Sequence, residues 1–367
     1  MRNVLRIPSQ SSSACWTGGA GASSRSRGNG VPGSGFSHGF WLILTSFPCV
    51  LIFLMTSEFL RLPLCAILLC LPLFCRAGGE PSPAAALTDV GPPEVNWTSL
   101  RYAANRFGVS LSTTLELDPS SREDMLVPPY SAFRNEPFQI VPDVVMRLDI
   151  HAHAETMLDS YNTEGRVWFA PGGLGVLQRD RLKPGPGGSR KIYRFAGDGA
   201  FRIRLEPNGR NEGRQSPANW TKIKQNFYPY DLLAAGCDRV TTPVLLLYRA
   251  SSRDPVNGGK PLCAFVDDAL YRVWLESRGE VPRPVDYAVK SGGTMHEFSG
   301  NRRTLKLSLR VVPITPGADP AAFELLELRG AIAIYIDADT RLPVLITGER
   351  AGAGELDVGL VEAALHE

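Results

Sequence analysis

The feature that most constrains the fold of this chain is a strict alternation of apolar and polar side chains between Val144 and Glu155. Successive side chains of a β-strand point to opposite faces, so such a segment has one apolar and one polar face. The apolar face holds Met146, Leu148, Ile150, Ala152 and Ala154, and the polar face holds Arg147, Asp149, His151, His153 and Glu155. The pattern predicts a half-buried strand with one face in the core.

Short runs of strand-forming residues recur to the end of the chain, with Gly- and Pro-rich turns between them, and make about fourteen candidate strands. A short helix is predicted over residues 232–235, because Asp231 precedes this apolar run and Gly236 follows it. The predicted strands cover residues 98–103, 109–117, 144–155, 165–169, 175–181, 190–196, 200–205, 262–266, 269–277, 285–290, 294–298, 305–312, 332–336 and 342–347, and a last segment over residues 358–364 closes the chain. The sequence therefore predicts a single antiparallel all-β domain over residues 96–367, as a curved sheet or an open barrel.

The residues before this domain have a different composition. Residues 1–38 carry arginines but no acid and are rich in Ser and Gly, which predicts a disordered basic leader. Residues 39–77 contain two apolar runs, each shorter than the roughly 20 residues of a membrane span, and predict either a signal peptide or a membrane anchor. Residues 78–95 are rich in Pro, Ala and Gly and are interpreted as a linker.

A second start position favours the signal-peptide interpretation. Translation from Met55 would give residues 62–74 the role of the apolar region of a secretory signal, with cleavage near Ala77. Residues 1–54 would then come from a start codon assigned too far upstream. Either interpretation predicts that residues 78–367 lie outside the cytoplasm, in the periplasm or anchored in the inner membrane.

The distribution of cysteine supports export. Five of the seven cysteines lie in residues 1–77, and only Cys237 and Cys263 remain in the exported part. An even number of cysteines in an oxidising compartment predicts a disulfide between them. The alternative is two buried free thiols.

One candidate site is a metal centre on the polar face of the strand over residues 144–155. His151 and His153 would lie side by side there, as zinc ligands can, and His296 could supply a third imidazole. The alternative is that these side chains belong to a solvated strand face.

A second candidate site is a basic surface. Between Val176 and Lys224 there are twelve Lys or Arg residues and four acids. The predicted surface comprises Arg179, Arg181, Arg190, Lys191, Arg194, Arg202 and Arg204. Outside the cytoplasm such a surface could bind phosphate-bearing lipid head groups or an acidic partner, and the alternative is again a solvated face. Nucleic acid is excluded as a partner by the compartment and by the net charge of only +2.

Several short motifs lie in the predicted β domain: residues 99–102 leading to 115–117, 191–195, 228–233, 334–337 and 341–344. These segments resemble a bacterial family of exported proteins, domain-of-unknown-function family 3108. The resemblance extends over about residues 97–361 and implies the curved antiparallel sheet of periplasmic lipoprotein carriers. It implies no activity, since the family has none that is agreed, and it transfers no catalytic residue.

The chain contains no nucleophile motif and no phosphate-binding lysine motif. We therefore expect a non-enzymatic exported protein without a cofactor, which binds an apolar or lipid-like ligand or a partner in the cell envelope. If the N-terminal hydrophobic segment is not cleaved, it would also contact the membrane. The alternatives are a metal-dependent enzyme that uses His151 and His153, and a structural envelope protein.

Overall fold

The computed structural model describes residues 95–106, 108–121, 124–125, 144–156 and 160–366. These residues form fifteen strands of one sheet, so the all-β prediction is confirmed. The predictions for residues 1–94 lie outside the described part of the chain. Within that part, no helix has the length and apolar character that crossing a membrane requires.

The strands run from Trp97 to Leu365 and are numbered in chain order. The first eight are β1 (Trp97–Arg106), β2 (Val109–Ser120), β3 (Val145–Glu155), β4 (Ser160–Ala170), β5 (Gly175–Lys183), β6 (Ser189–Phe195), β7 (Gly199–Glu206) and β8 (Lys222–Pro229). The other seven are β9 (Val240–Thr241), β10 (Leu262–Val266), β11 (Ala269–Ser291), β12 (Thr294–Pro313), β13 (Arg329–Asp337), β14 (Pro343–Arg350) and β15 (Gly354–Leu365).

The sheet is antiparallel along most of its width, and its order is β8-β7-β6-β5-β4-β3-β2-β1-β15-β14-β13-β12-β11-β10-β9. Strand β11 also pairs in parallel with the end of β15, through Ala288, Val289 and Lys290. Strands β11 to β15 therefore close into a ring, and β1 to β8 extend from it as an open sheet.

The length of β11 makes this closure possible. Its register with β12 shifts between Ser277 and Glu280, and Gly279 in that bulge has a φ of 83°. This left-handed conformation suits a residue without a Cβ. The strand bends at the bulge, since β-bulges bend the strand that carries them. The first half of β11 pairs with β10 and its last residues pair with β15.

The helices of the described residues are short: α1 (Arg210–Gly213), α2 (Leu232–Ala235) and α3 (Leu245–Ser251). Helix α2 confirms the predicted one, since the Asp231 side chain accepts a hydrogen bond from the backbone of Ala234 at 2.9 Å and Gly236 ends the helix with a φ of 68°. Helix α3 is almost entirely buried. Its Tyr248 ring contacts the edges of Trp97 and Phe169, which lie on β1 and β4. One face of the sheet therefore packs on α3 to form the main core.

Some predicted strand boundaries are wrong. The runs 269–277 and 285–290 belong to one strand, and so do 294–298 and 305–312. Exposed residues between the runs break the apolar alternation without breaking the backbone pairing. Strand β8 was not predicted, because Gln225 separates its apolar Ile223 and Phe227 and the alternation is too weak to mark a strand; seven of its eight residues are exposed.

Candidate ligand-binding site

Four cations lie in a row across the open sheet, on the face that also carries Val167. They are cross-strand neighbours on β5 to β8, and we call them the basic row. The basic row consists of Arg181, Lys191, Arg204 and Lys224. Like charges directly opposite one another destabilise a sheet, so this arrangement needs nearby acids or a bound anion.

Two acids offset part of this charge. Asp267, in the turn between β10 and β11, accepts a hydrogen bond from Lys191 Nζ at 2.7 Å. Glu206 Oε1 lies 2.5 Å from Arg204 Nη2, and Glu206 Oε2 lies 2.7 Å from Lys222 Nζ. Burial raises the pKa of Asp267, but the hydrogen bond from Lys191 and the charges of Lys191, Arg179 and Arg181 together lower it by more, so the net shift is downward. Both acids are therefore ionised at neutral pH.

Three cations of β5 have no such partner. Arg179, Arg181 and Lys183 occupy alternate positions on one face of the strand, and we call them the β5 cations. Among the described residues, no carboxylate lies within ion-pair distance of any of them. Arg179 instead lies 3.4 Å from the carbonyl oxygen of Phe265 and 4.9 Å from the centre of the Tyr193 ring. Burial lowers the pKa of Arg179 by more than the nearby Tyr193 and Asp267 raise it, which reflects the cost of desolvating a charge that makes no close ion pair.

The structure corrects the predicted basic surface. Lys191, Arg202 and Arg204 share a face with Arg179 and Arg181, but Arg190 and Arg194 do not, because they alternate with Lys191 along β6. Arg190 makes an ion pair with Asp180 on the opposite face. Arg202 lies over the Tyr228 ring at 4.8 Å.

Two neighbouring cavities open along the β5 cations. The first, of about 150 Å³, is mainly apolar. Its apolar lining comes from Ile150, Ala152, Val167, Pro243, Val244, Val266 and Leu326. The second, of about 610 Å³, is polar, and its charged lining comprises Arg181, Lys183, Lys191, Arg204, Arg329 and Arg350 together with Asp267, Asp319, Glu324 and Glu327. Arg181 lines both cavities, so they form one groove with an apolar end and a basic end.

The segment between β12 and β13, residues 314–328, forms the wall of the groove opposite the open sheet. We call it the covering loop. Its start is fixed to β11, since the Ile314 backbone donates to the Leu270 carbonyl oxygen at 2.8 Å. Further along, Phe323 is buried against the Tyr271 ring. The loop is thus held at both of these points, and the residues of it that line the cavities are Asp319, Ala321, Ala322, Glu324, Leu326 and Glu327.

The covering loop reaches across the groove at Glu327. The Tyr161 hydroxyl on β4 donates to Glu327 Oε2 at 2.6 Å. Arg350 Nη2 on β14 donates to the same oxygen at 3.0 Å and to the Tyr161 oxygen at 2.8 Å. Burial and the hydrogen bond to Glu327 raise the pKa of Tyr161. These three side chains connect the open sheet, the ring and the loop at the basic end.

The two candidate histidines lie elsewhere. His151 and His153 are exposed on the face of β3 opposite the groove, and His153 Nδ1 lies 2.8 Å from Asn162 Oδ1. Over the described ranges, no group of three or more His, Cys, Asp or Glu side chains is arranged to hold a metal ion. The histidine pair therefore has no ligand set for a metal among these residues.

The two cysteines of the domain form a disulfide, with Cα atoms 5.9 Å apart. The bond links the segment after α2 to β10, and Cys263 is fully buried. It lies close to the turn that carries Asp267, four residues along the chain.

Comparisons with known proteins found nothing that matches this chain. No protein-family model, no curated protein and no solved structure matches the chain. The resemblance to domain-of-unknown-function family 3108 therefore stays a prediction.

The sequence predicted some of the site and missed the rest. Arg179, Arg181, Lys191, Arg202 and Arg204 were expected to form a basic face, and they do. The three residues at the basic end were missed, because Tyr161 is separated from its partners by more than 160 positions and no local pattern links them. The alternation of Lys183 with Arg181 was the one available signal for extending the face to that residue.

Proposed function

We propose that this chain is an exported, non-enzymatic protein that binds a small amphipathic anion in the groove between the open sheet and the covering loop. The ligand's apolar part occupies the cavity of about 150 Å³, and its anionic head lies on the β5 cations. The observation that carries this proposal is the set of three cations that make no ion pair with any described residue, next to an apolar cavity. Phosphate and carboxylate groups are the natural partners of such arginines.

The size of the apolar end limits the ligand. An apolar cavity of about 150 Å³ can hold benzene, so we infer an apolar part of about six carbons. The second cavity is about four times as large and polar, which suits a solvated phosphate or carboxylate head. A ligand of this kind resembles a short-chain lipid fragment.

Two further features support an exported carrier. The disulfide fits an oxidising compartment, and we propose that the N-terminal residues supply the export signal. A curved antiparallel sheet is also what the family resemblance implies. We therefore propose that the fold is related to that of periplasmic lipoprotein carriers.

Titration of the purified full chain with hexyl phosphate tests the proposal. We expect Arg181→Gln to weaken binding about tenfold, because a charge-assisted hydrogen bond contributes about 1.5–3 kcal/mol and Arg181 is half-buried. Arg166→Gln is the matched control, since Arg166 is exposed on the opposite face of β4. Equal affinities of wild type and Arg181→Gln, or no binding by wild type, would contradict the proposed function.

Hexyl glucoside gives the second comparison. It has the same alkyl chain without the charge, so we expect it to bind much more weakly than hexyl phosphate. Affinity for hexyl phosphate should also fall with added salt, since salt screens the attraction of the half-exposed cations. Equal binding of the two compounds would mean that the cations do not contact the ligand.

A further inference from the structure

The turn at the C-terminal end of the covering loop has an unusual backbone conformation. Leu325 and Leu328 exchange two backbone hydrogen bonds of 2.9 and 3.0 Å, which leaves Leu326 and Glu327 at the centre of a tight turn. Their φ angles are 49° and 66°. Two consecutive left-handed residues usually include Gly, Asn or Asp, and neither position has one. Such strain persists where the surroundings hold it, and it is common at ligand-binding sites.

The strained turn places an apolar side chain and a carboxylate in the groove, and the proposed ligand also has an apolar part and an anionic head. Leu326 lines the apolar cavity and Glu327 lines both cavities. An apolar side chain and a carboxylate thus lie side by side, as the chain and head of an amphipathic anion would. The turn occupies the point where the apolar and basic ends of the groove meet.

The partners of Glu327 are suited to an anionic head group. Arg350 is buried, with only 7% of its side chain exposed. Although burial lowers the pKa of Arg350, its hydrogen bonds to Tyr161 and Glu327 raise it, so this group stays charged. The Tyr161 hydroxyl adds a neutral donor, and Lys183 lies 5.2 Å from the centre of the Tyr161 ring. A guanidinium, a hydroxyl and a nearby ammonium form a compact site for a phosphate or carboxylate.

We propose that Arg350 and Tyr161 form a head-group subsite and that the Glu327 carboxylate competes with the ligand's anionic head for it. This inference rests on the proposed function, which it deepens by naming the residues that select the head. Ligand binding would break the two bonds of Glu327 and release the Leu326–Glu327 turn from its strained position. The β5 cations would then bind the other oxygens of the same head.

The test measures hexyl phosphate affinity in wild type, Glu327→Gln and Glu324→Gln. Glu324 lies on the same loop and lines the same groove, but it pairs with Arg329 instead. It therefore controls for the general loss of one negative charge. We expect Glu327→Gln to bind hexyl phosphate about tenfold more tightly than wild type, and Glu324→Gln to change affinity less than threefold.

A titration of the Tyr161 phenol gives a readout that does not depend on ligand. The Glu327 carboxylate helps to raise the pKa of Tyr161, so Glu327→Gln should lower it, and Glu324→Gln should not. A thermal melt checks that each variant is folded.

The outcomes separate the two proposals. If wild type binds hexyl phosphate and Glu327→Gln binds it no more tightly, the competition is wrong and the proposed function stands. If no variant binds it, both are wrong. If inorganic phosphate gains the same affinity in Glu327→Gln, the subsite is supported, with free phosphate and not a lipid-like anion as its ligand.

Discussion

At the scale of single residues, the Asp337 carboxylate is a buried charge in the ring that depends on hydrogen-bond donors around it. Its side chain is fully buried, and Arg302 Nε donates to it at 2.8 Å. The backbone N–H groups of Asp339 and Thr340 donate to its Oδ1 at 3.0 and 2.9 Å. Burial raises the pKa of Asp337, but these donors outweigh it and hold the pKa below 3.8. The charged form is therefore the one that the fold stabilises.

This residue gives a pH prediction. Because the folded pKa lies below the ordinary value of 3.8, the stabilisation is complete above about pH 4 and is lost as the pH falls through the folded pKa. We expect Asp337→Asn to lower the free energy of unfolding by about 2 kcal/mol at pH 7 and to lose less stability than wild type below pH 4. Urea unfolding from pH 7 to pH 2.5 measures both effects.

Asp339→Asn is the matched control for that experiment. Its side chain is 59% exposed, and it contacts Arg302 and Arg303 at the surface. Exposed pairs contribute about 0–1 kcal/mol, so this variant should resemble wild type. If Asp337→Asn and Asp339→Asn behaved alike, the buried carboxylate would not have the stabilising role given to it here.

At the scale of elements, the disulfide holds the segment between α2 and β10 against the sheet. This segment contains β9 and the buried helix α3, and its two ends are 26 residues apart. Closing a loop of this length stabilises the folded chain by about 3–4 kcal/mol in the chain-entropy model. We therefore expect the Cys237→Ala/Cys263→Ala double variant to lose about that much stability in urea unfolding.

Wild type treated with reductant serves as the comparison for the double variant, since it loses the bond but keeps both sulfur atoms. Thiol titration of denatured wild type, purified without reductant, should find neither Cys237 nor Cys263 reactive. A reactive pair, or a double variant as stable as wild type, would be inconsistent with a disulfide that holds this segment.

Individual helices and strands show which parts of the fold can be predicted from the sequence. The alternation in residues 144–155 gave the correct faces of β3, and Asp231 and Gly236 gave the correct ends of α2. The apolar run 244–248 did not reveal α3, because a helix buried on all sides has no polar face to set a period. Strand β8 is mostly exposed, and only Ile223 and Phe227 mark an apolar face on it. In both cases tertiary packing decides what the local pattern leaves open.

At the scale of the whole molecule, the groove exists because distant parts of the chain meet. The open sheet supplies the β5 cations, the ring supplies Arg350, and the covering loop supplies Glu327. The spacing of these residues along the sequence does not predict that they lie close together. Their proximity follows from the pairing of β1 with β15, which joins the two parts of the sheet. The basic face was predictable from composition, whereas its neighbouring apolar cavity was not.

The most direct test of the central claim is to map where an amphipathic anion binds. A six-carbon alkyl phosphate with a photoreactive diazirine at its chain end, irradiated with the full chain and analysed by peptide mass spectrometry, reports the position of the apolar end. We predict cross-links to residues that line the small cavity, such as Val167, Val244 and Leu326, and their loss with excess hexyl phosphate. Cross-links on the opposite face of the sheet, or none that hexyl phosphate displaces, would contradict the account.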